Sequence, residues 1–317
     1  MAMKFDGVVG IGIQSAQGTG VAASFYPVCE DANINSEPVH HERVSSAGKR
    51  LKPRPAGFNH SFDLSGVEGD NTHLGLLLYA MLGSGTYATG TNTFTYGVSK
   101  YLTTLVDRNV DLGSSNEAER LIDVRGESLE FEVNPRSISR LSFRGPGTEK
   151  DAQSGLTASL PTGSPLTWDM LLTSNSGYFK SQVNDAALSA DQEVRSFKFG
   201  ISRTQKNDKL TAEGLQPQDI LQGNGEITFE FGKTFDNSTD YTAFTSQYEV
   251  GVEALFYVSA TESLKVTIPH GTFEAPNLDG VGSGEDEILW NCQAKAFFDG
   301  TDEIITVVVE TDSVDLT

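Results

Sequence analysis

Basic residues are scarce in this sequence. Twenty-three Lys+Arg face 43 Asp+Glu, a formal charge of −20 at pH 7. Wrapping nucleic acid by neutralising its phosphates needs clustered Lys and Arg, so that mode of binding is excluded. Adhesion to an anionic membrane is excluded too, for want of a basic amphipathic stretch. Cysteine is scarcer still. Cys29 and Cys292 stand at opposite ends without metal-type spacing, which leaves one bridge open and rules out a disulfide scaffold. The longest apolar run, Leu74 to Leu82, falls short of the roughly 20 residues that span a bilayer as a helix. The opening Met-Ala-Met-Lys-Phe-Asp leads into no apolar segment, so no signal peptide is expected, and synthesis is expected in the cytoplasm.

Catalytic patterns are missing as well. There is no Gly-x-Ser-x-Gly, and neither cysteine sits in a Cys/His arrangement of the nucleophilic kind. Gly10-Ile-Gly12-Ile-Gln-Ser15 approaches a dinucleotide-binding turn. Its last position is Ser15, however, and Gly18 and Gly20 follow too soon for the helix that motif opens. His40-His41-Glu42 invites a metal reading, but adjacent strand residues point to opposite faces and no second pair completes a zinc set. Asp236 with Asp240, and Glu285-Asp286-Glu287, lack the alternating ligands and glycine of a calcium loop. No enzyme, cofactor or metal site is expected.

What is present is period-two alternation. In Ser128-Leu-Glu-Phe-Glu-Val133, Leu129, Phe131 and Val133 point one way and Glu130 and Glu132 the other. Phe58–Ser65, Glu226–Phe231 and Ile304–Glu310 alternate in the same manner. Strands with one dry and one wet face belong to antiparallel sheets. Two segments read as helices, His73–Leu82 capped by Asn71-Thr72, and Asp240–Glu249 capped by Ser238-Thr239. Each follows an alternating strand and a polar turn, and one constant offset carries Phe62 onto Phe229 and Leu64 onto Phe231.

The chain therefore reads as a duplication, with 317 residues making about two domains. Downstream, Tyr101–Asp107 is matched to Ser263–Ile268, and the pair Arg125–Val133 and Ser137–Arg144 to Leu289–Phe298 and Ile304–Glu310. The join falls in the Gly/Ser/Thr/Pro-rich stretch Gly145–Gly163, read as a linker. The expected domains are 1–160 and 161–317, and most of the acid lies in the second. One local feature opposes the global charge. Arg43, Lys49, Arg50, Lys52 and Arg54 form a basic, proline-bounded run, either a solvated loop or a contact for the acidic surface of a neighbouring copy.

In this order of elements the sequence resembles the bacteriophage tail tube (major tail) proteins of the duplicated, two-domain type. The resemblance rests on Gly18-Thr-Gly20 with Phe25-Tyr-Pro-Val28, on Ala56–Gly66, and on His73–Gly83 in the first half. In the second it rests on Val194–Phe199, Ile220–Phe231, Leu264–Pro269 and Ala294–Phe298. The stretch 145–190 and the acidic residues 299–317 have no match in that pattern.

The resemblance implies a mainly β fold of two tandem β-sandwich domains. Each would have a flanking helix, and the inner sheets would join into a shared barrel that lines a lumen. It implies a structural virion protein whose trimeric, pseudo-hexameric rings stack into the tail tube and conduct the genome on ejection. The implied partners are further copies of itself, terminator and distal tail proteins at the ends, and tape-measure protein and then double-stranded DNA in the lumen. No membrane and no cofactor would be involved. Arg43, Lys49, Arg50, Lys52 and Arg54 would then form an inter-ring loop. Glu130, Glu132, Glu226 and Glu230 would be candidates for an acidic lumen wall past which DNA slides. The competing reading is a secreted or surface β-sandwich binding module, of carbohydrate-binding or adhesin type, which calls for an exposed aromatic patch. Trp168 and Trp290, the only tryptophans, lie far apart in the sequence.

Overall fold

The computed structural model describes residues 8–44, 50–68, 70–107, 117–154, 165–172, 175–183, 189–190, 194–206, 219–234, 249–279, 289–311 and 316. The architecture is mainly β, as the alternation predicts. The first half supplies β1 (Val8–Ile13), β2 (Asp31–Val44), β3 (Arg50–Val67), the helix α1 (Asn71–Leu82), β4 (Gly83–Ala88) and β5 (Thr91–Tyr96). It continues with β6 (Tyr101–Asp107), β7 (Glu117–Arg125), β8 (Ser128–Val133), β9 (Arg140–Gly147) and β10 (Glu149–Ser154). The second half supplies β11 (Tyr178–Val183), β12 (Ser189–Ala190), β13 (Val194–Lys206) and β14 (Leu221–Thr234). It ends with β15 (Glu249–Ser259), β16 (Glu262–Asp279), β17 (Leu289–Ala296) and β18 (Thr306–Glu310).

Pairing order repeats between the halves. In the first, one sheet runs β1-β6-β7-β10, and the strands β2-β3-β9-β8 are neighbours in another. In the second, β11-β15-β16-β18 answers the former and β13-β14-β17-β16 the latter. The strand β16 serves twice. Its first part pairs with β18 and its last part with β17, so one strand does the work that β7 and β8 share in the first half. Laying β8 on the last part of β16 and β9 on β17 carries the pair Glu132–Arg140 onto Asp279–Leu289 and Ser128–Arg144 onto Ala275–Gln293. Even the irregularities coincide, with a register shift at Leu102/Thr104 of β6 and another at Val250/Val252 of β15.

This corrects the correspondence drawn from the sequence downstream of the first helix. Tyr101–Asp107 answers to β15 and not to Ser263–Ile268, and β9 and β10 answer to β17 and β18. The mismatch arises because β16 fuses two strands, so counting strands along the second half slips by one.

The linker expectation is also corrected in part. Gly145 to Gly147 end β9, and Glu149–Ser154 form β10 on the edge of β7. Apolar alternation is absent from Glu-Lys-Asp-Ala-Gln-Ser because the backbone ladder holds this strand. Ion pairs reinforce it: Arg120 to Asp151 at 2.5 Å and Lys150 to Glu119 at 2.7 Å. Gly145 is required where β9 passes the turn after β7, since a Cβ there would lie 2.1 Å from the Arg125 carbonyl oxygen.

The cap of α1 lies one residue before the expected one, and the helix begins at Asn71. Asp70 takes the N-cap position, its side chain accepting from the His73 N–H at 2.9 Å, and Gly83 ends the helix in the left-handed region at φ 86°. Nearly every residue of α1 is buried, and the helix contacts β4, β5, β18 and β16, which are successive neighbours in one sheet. The second expected helix lies, but for Glu249 at the start of β15, outside the described residues.

The core is a sandwich rich in phenylalanine. Phe179 of β11 meets Phe197 of β13 edge-on at 5.5 Å and Phe231 of β14 at 5.4 Å. Phe131 of β8 meets Phe256 of β15 edge-on at 5.6 Å and Phe199 at 5.3 Å. Aromatic pairs at such separations stabilise beyond the area they bury. Phe131, wholly buried, belongs to the first half while Phe199 and Phe256 belong to the second. Replacing it with alanine should cost about 3–5 kcal/mol of unfolding free energy, read from urea denaturation. A loss under about 1 kcal/mol, the level of a surface change, would show that the two halves do not share this core.

Candidate assembly interface

The halves meet edge to edge. Residues Ser128–Val133 of β8 pair antiparallel with Phe197–Ser202 of β13, from Phe197–Val133 to Ser202–Ser128. Eight strand segments thereby become one continuous sheet in the order β2-β3-β9-β8-β13-β14-β17-β16. Leu64, Phe143, Leu129, Ile201 and Ile227 follow one another across it on the dry face, and all are buried. A second link reinforces this joint. The hairpin β4–β5 sends β5 onto the edge of β18, pairing Thr91–Thr95 with Glu310–Thr306. That hairpin has no counterpart among the described residues of the second half. The distance along the chain between equivalent positions is accordingly shorter at Leu102/Val250, after the hairpin, than at Phe62/Phe229, before it.

The opposite face of the sheet is wet and acidic. Glu130, Glu132, Glu226 and Glu230 all lie on it, because each pairs in register with a neighbour of the same face: Glu132 with Lys198, Lys198 with Glu230, and Ser202 with both Ser128 and Glu226. Asp31, Glu37 and Asp63 extend the acid across β2 and β3. Among the described residues the cations between them are Arg140, Arg144, Lys198 and Lys295, fewer than the carboxylates. Each is engaged. Lys198 reaches Glu130 at 3.0 Å, Arg144 reaches Asp63 at 3.2 Å, Arg140 reaches Glu30 at 2.9 Å, and Lys295 bonds Glu226. Sequence alternation placed the four glutamates outward but gave no sign of these cations, which sit opposite them only through strand register.

The basic run lies on a hairpin and not on a loop. Arg43 belongs to β2, while Arg50, Lys52 and Arg54 belong to β3, with Arg43 opposite Leu51 and His41 opposite Arg54. Lys52 is exposed; Lys49 lies outside the described residues. The correction has a simple cause. The alternating proline pattern Lys-Pro-Arg-Pro suggests a loop, yet prolines are tolerated on an edge where no N–H is needed. Among the described residues β9 joins β3 only from His60 onward, so Arg50–Gly57 pair with β2 alone. That two-stranded arm extends roughly 25 Å past the sheet, at about 3.3 Å per residue. His40 is exposed on it. Asp236, Asp240 and Glu285–Glu287 lie outside the described residues.

One cluster was missed by sequence reasoning. His270 sits at the irregularity where β16 passes from its pairing with β15 and β18 to its pairing with β17. Its Nδ1 lies 3.3 Å from Glu249, and its Nε2 lies 3.5 Å from Asp299 and 3.4 Å from Asp302. The only signal was Pro269-His270-Gly271 inside an apolar alternation, a combination that marks a bend. Burial works to lower the His270 pKa, but the hydrogen bonds to Asp302 and Glu249 and the charges of Asp299 and Glu249 outweigh it, and the net shift is upward.

A scan of protein-family models finds no match to the chain, and a search of curated proteins finds none.

Because His270 titrates at a raised pH in the folded state, the stabilisation it gives is complete below the ordinary imidazole range. It is lost as pH rises through the elevated folded value. The melting temperature of the wild type should therefore fall relative to a His270→Gln variant as pH climbs through and above neutrality. Parallel melting curves for the two proteins across that range would contradict the role of His270 in holding the bend.

Proposed function

We propose that the chain is a structural virion protein of the tail tube kind, polymerising through its sheet edges into rings that stack into a conduit for a phage genome. The observation that carries this reading is the ladder between β8 and β13. Two sandwich repeats are joined side by side through strands of one sheet, leaving a single wet face on eight consecutive segments. An assembly that continues this joint from chain to chain gives a curved wall with that face to one side. Each chain contributes two tail-tube-like domains, and three chains give the six that close a ring and a shared barrel. Stacked rings are heterologous and open-ended, the symmetry that yields filaments.

The charge of the wet face supports the conduit. Duplex DNA carries one negative charge per about 1.7 Å, and a wall with spare cations would hold it at many phosphates. Here the cations are engaged by carboxylates, so Glu130, Glu132, Glu226 and Glu230 would line a lumen that repels DNA weakly and grips it nowhere. The arm Arg50–Gly57 has the reach to contact a neighbouring ring, where Arg43, Lys49, Arg50, Lys52 and Arg54 would meet an acidic surface. Exposed ion pairs are worth about 0–1 kcal/mol each, so their contribution would be register more than strength.

Electron microscopy of the purified protein tests the reading. Rings or tubes whose reconstruction turns the sheet of Glu130 and Glu226 toward the channel are expected. Monomers at every concentration would sink it, and so would tubes that carry that sheet on the outside.

A further inference from the structure

The duplication predicts which strands meet between copies, and in what register. We infer that the last part of β16 in one copy pairs antiparallel with β2 of the next, Leu278 opposite Ile34, Asn277 opposite Asn35, Pro276 opposite Ser36 and Ala275 opposite Glu37. This deepens the ring reading and rests on it.

The argument uses the internal joint as a template. The strand β8 is the β16-equivalent of the first repeat, since its ladder with β9 overlays the ladder between β16 and β17 pair by pair, from Glu132–Arg140 on Asp279–Leu289 to Ser128–Arg144 on Ala275–Gln293, without a gap. The strand β13 is the β2-equivalent of the second, since the pairs Ala32–Leu64 and Ile34–Phe62 overlay Phe197–Phe231 and Phe199–Phe229. The partners of β8 in the internal joint are therefore known for both sides of an external one. Phe131–Phe199 becomes Leu278–Ile34, and Glu130–Gly200 becomes Asn277–Asn35. Among the described residues, Ile34–Glu37 have a ladder on one side only, with β3, and Ala275–Asp279 on one side only, with β17. Two open edges at the two ends of one sheet, each the repeat-equivalent of a strand already paired inside the chain, fit a second copy of this chain head to tail.

The two joints are not equal. Inside the chain, β5 adds a ladder to β18 and α1 packs beside it. The described residues of the second repeat hold no such hairpin to offer the next copy, so among them the seam between copies has the inner ladder and no outer one. Pro276 also lacks an N–H where β8 has Leu129, which removes one donor from the external ladder. The seam between chains is accordingly the weaker of the two, and the ring should come apart into whole chains.

Oxidative cross-linking of assembled protein tests the register. In a Cys29→Ser background, with Cys292 buried, the double variant Asn35→Cys/Asn277→Cys should lose its monomer band to covalent oligomers on a denaturing gel. The off-register pair Glu37→Cys/Asn277→Cys should keep it. Rings by microscopy with no cross-link from 35/277, or with the stronger cross-link from 37/277, would overturn the seam and leave the ring reading intact. Absence of any assembly from the parent protein would overturn both. If the cysteine variants fail to assemble, a Ser36→Pro variant of the parent is the second arm, because Ser36 is the equivalent of Ile201, whose N–H faces β8 in the internal joint. Loss of rings with an unchanged circular dichroism spectrum supports the seam, and rings of normal stability contradict it.

Discussion

Six residues of β8 pair in register with six of β13, and the rest of the molecule is arranged around that ladder. It gives two repeats one dry face, so that Phe131 of the first packs on Phe199 and Phe256 of the second. It also fixes what remains unpaired. A net gain of about 1 kcal/mol per hydrogen bond makes such a ladder a modest source of energy. Its larger effect is geometric, because any shift by one residue would move every wet side chain into the core.

Open edges are normally a hazard, and proteins blunt them with charge and proline. This chain has both devices, with Glu37 and Pro38 on β2 and Pro276 on β16, yet the edges stay long enough for a ladder. The hairpin β4–β5 shows the contrasting solution, since it caps the edge of β18 from within the chain. One edge is thus covered from within the chain, while among the described residues Ile34–Glu37 and Ala275–Asp279 have a ladder on one side only.

Much of this was legible in the sequence where packing is one-sided. The alternation in Ser128–Val133 and Glu226–Phe231 marked strands and their dry faces, and the offset between Phe62 and Phe229 falls on β3 and β14, which hold like places in the pairing order of the two halves. Legibility failed where the backbone alone specifies structure. Glu149–Ser154 form a strand with no apolar period, because register and ion pairs hold them. The repeat correspondence slipped after α1 because an inserted hairpin lengthens one half and a fused strand shortens the other. The cluster about His270 was invisible for a different reason: its carboxylates, Glu249, Asp299 and Asp302, are separated in sequence and converge only at the bend. The cations of the wet face escaped for the same cause, being paired across strands and not along them.

Amide hydrogen exchange, compared between dilute and concentrated protein, addresses the central claim most directly. The account predicts that β8 and β13 are protected in both states, and that protection gained on assembly is concentrated in Ile34–Glu37 and Ala275–Leu278. Equal exchange at those two segments in both states, or β8 and β13 protected only on assembly, would contradict it.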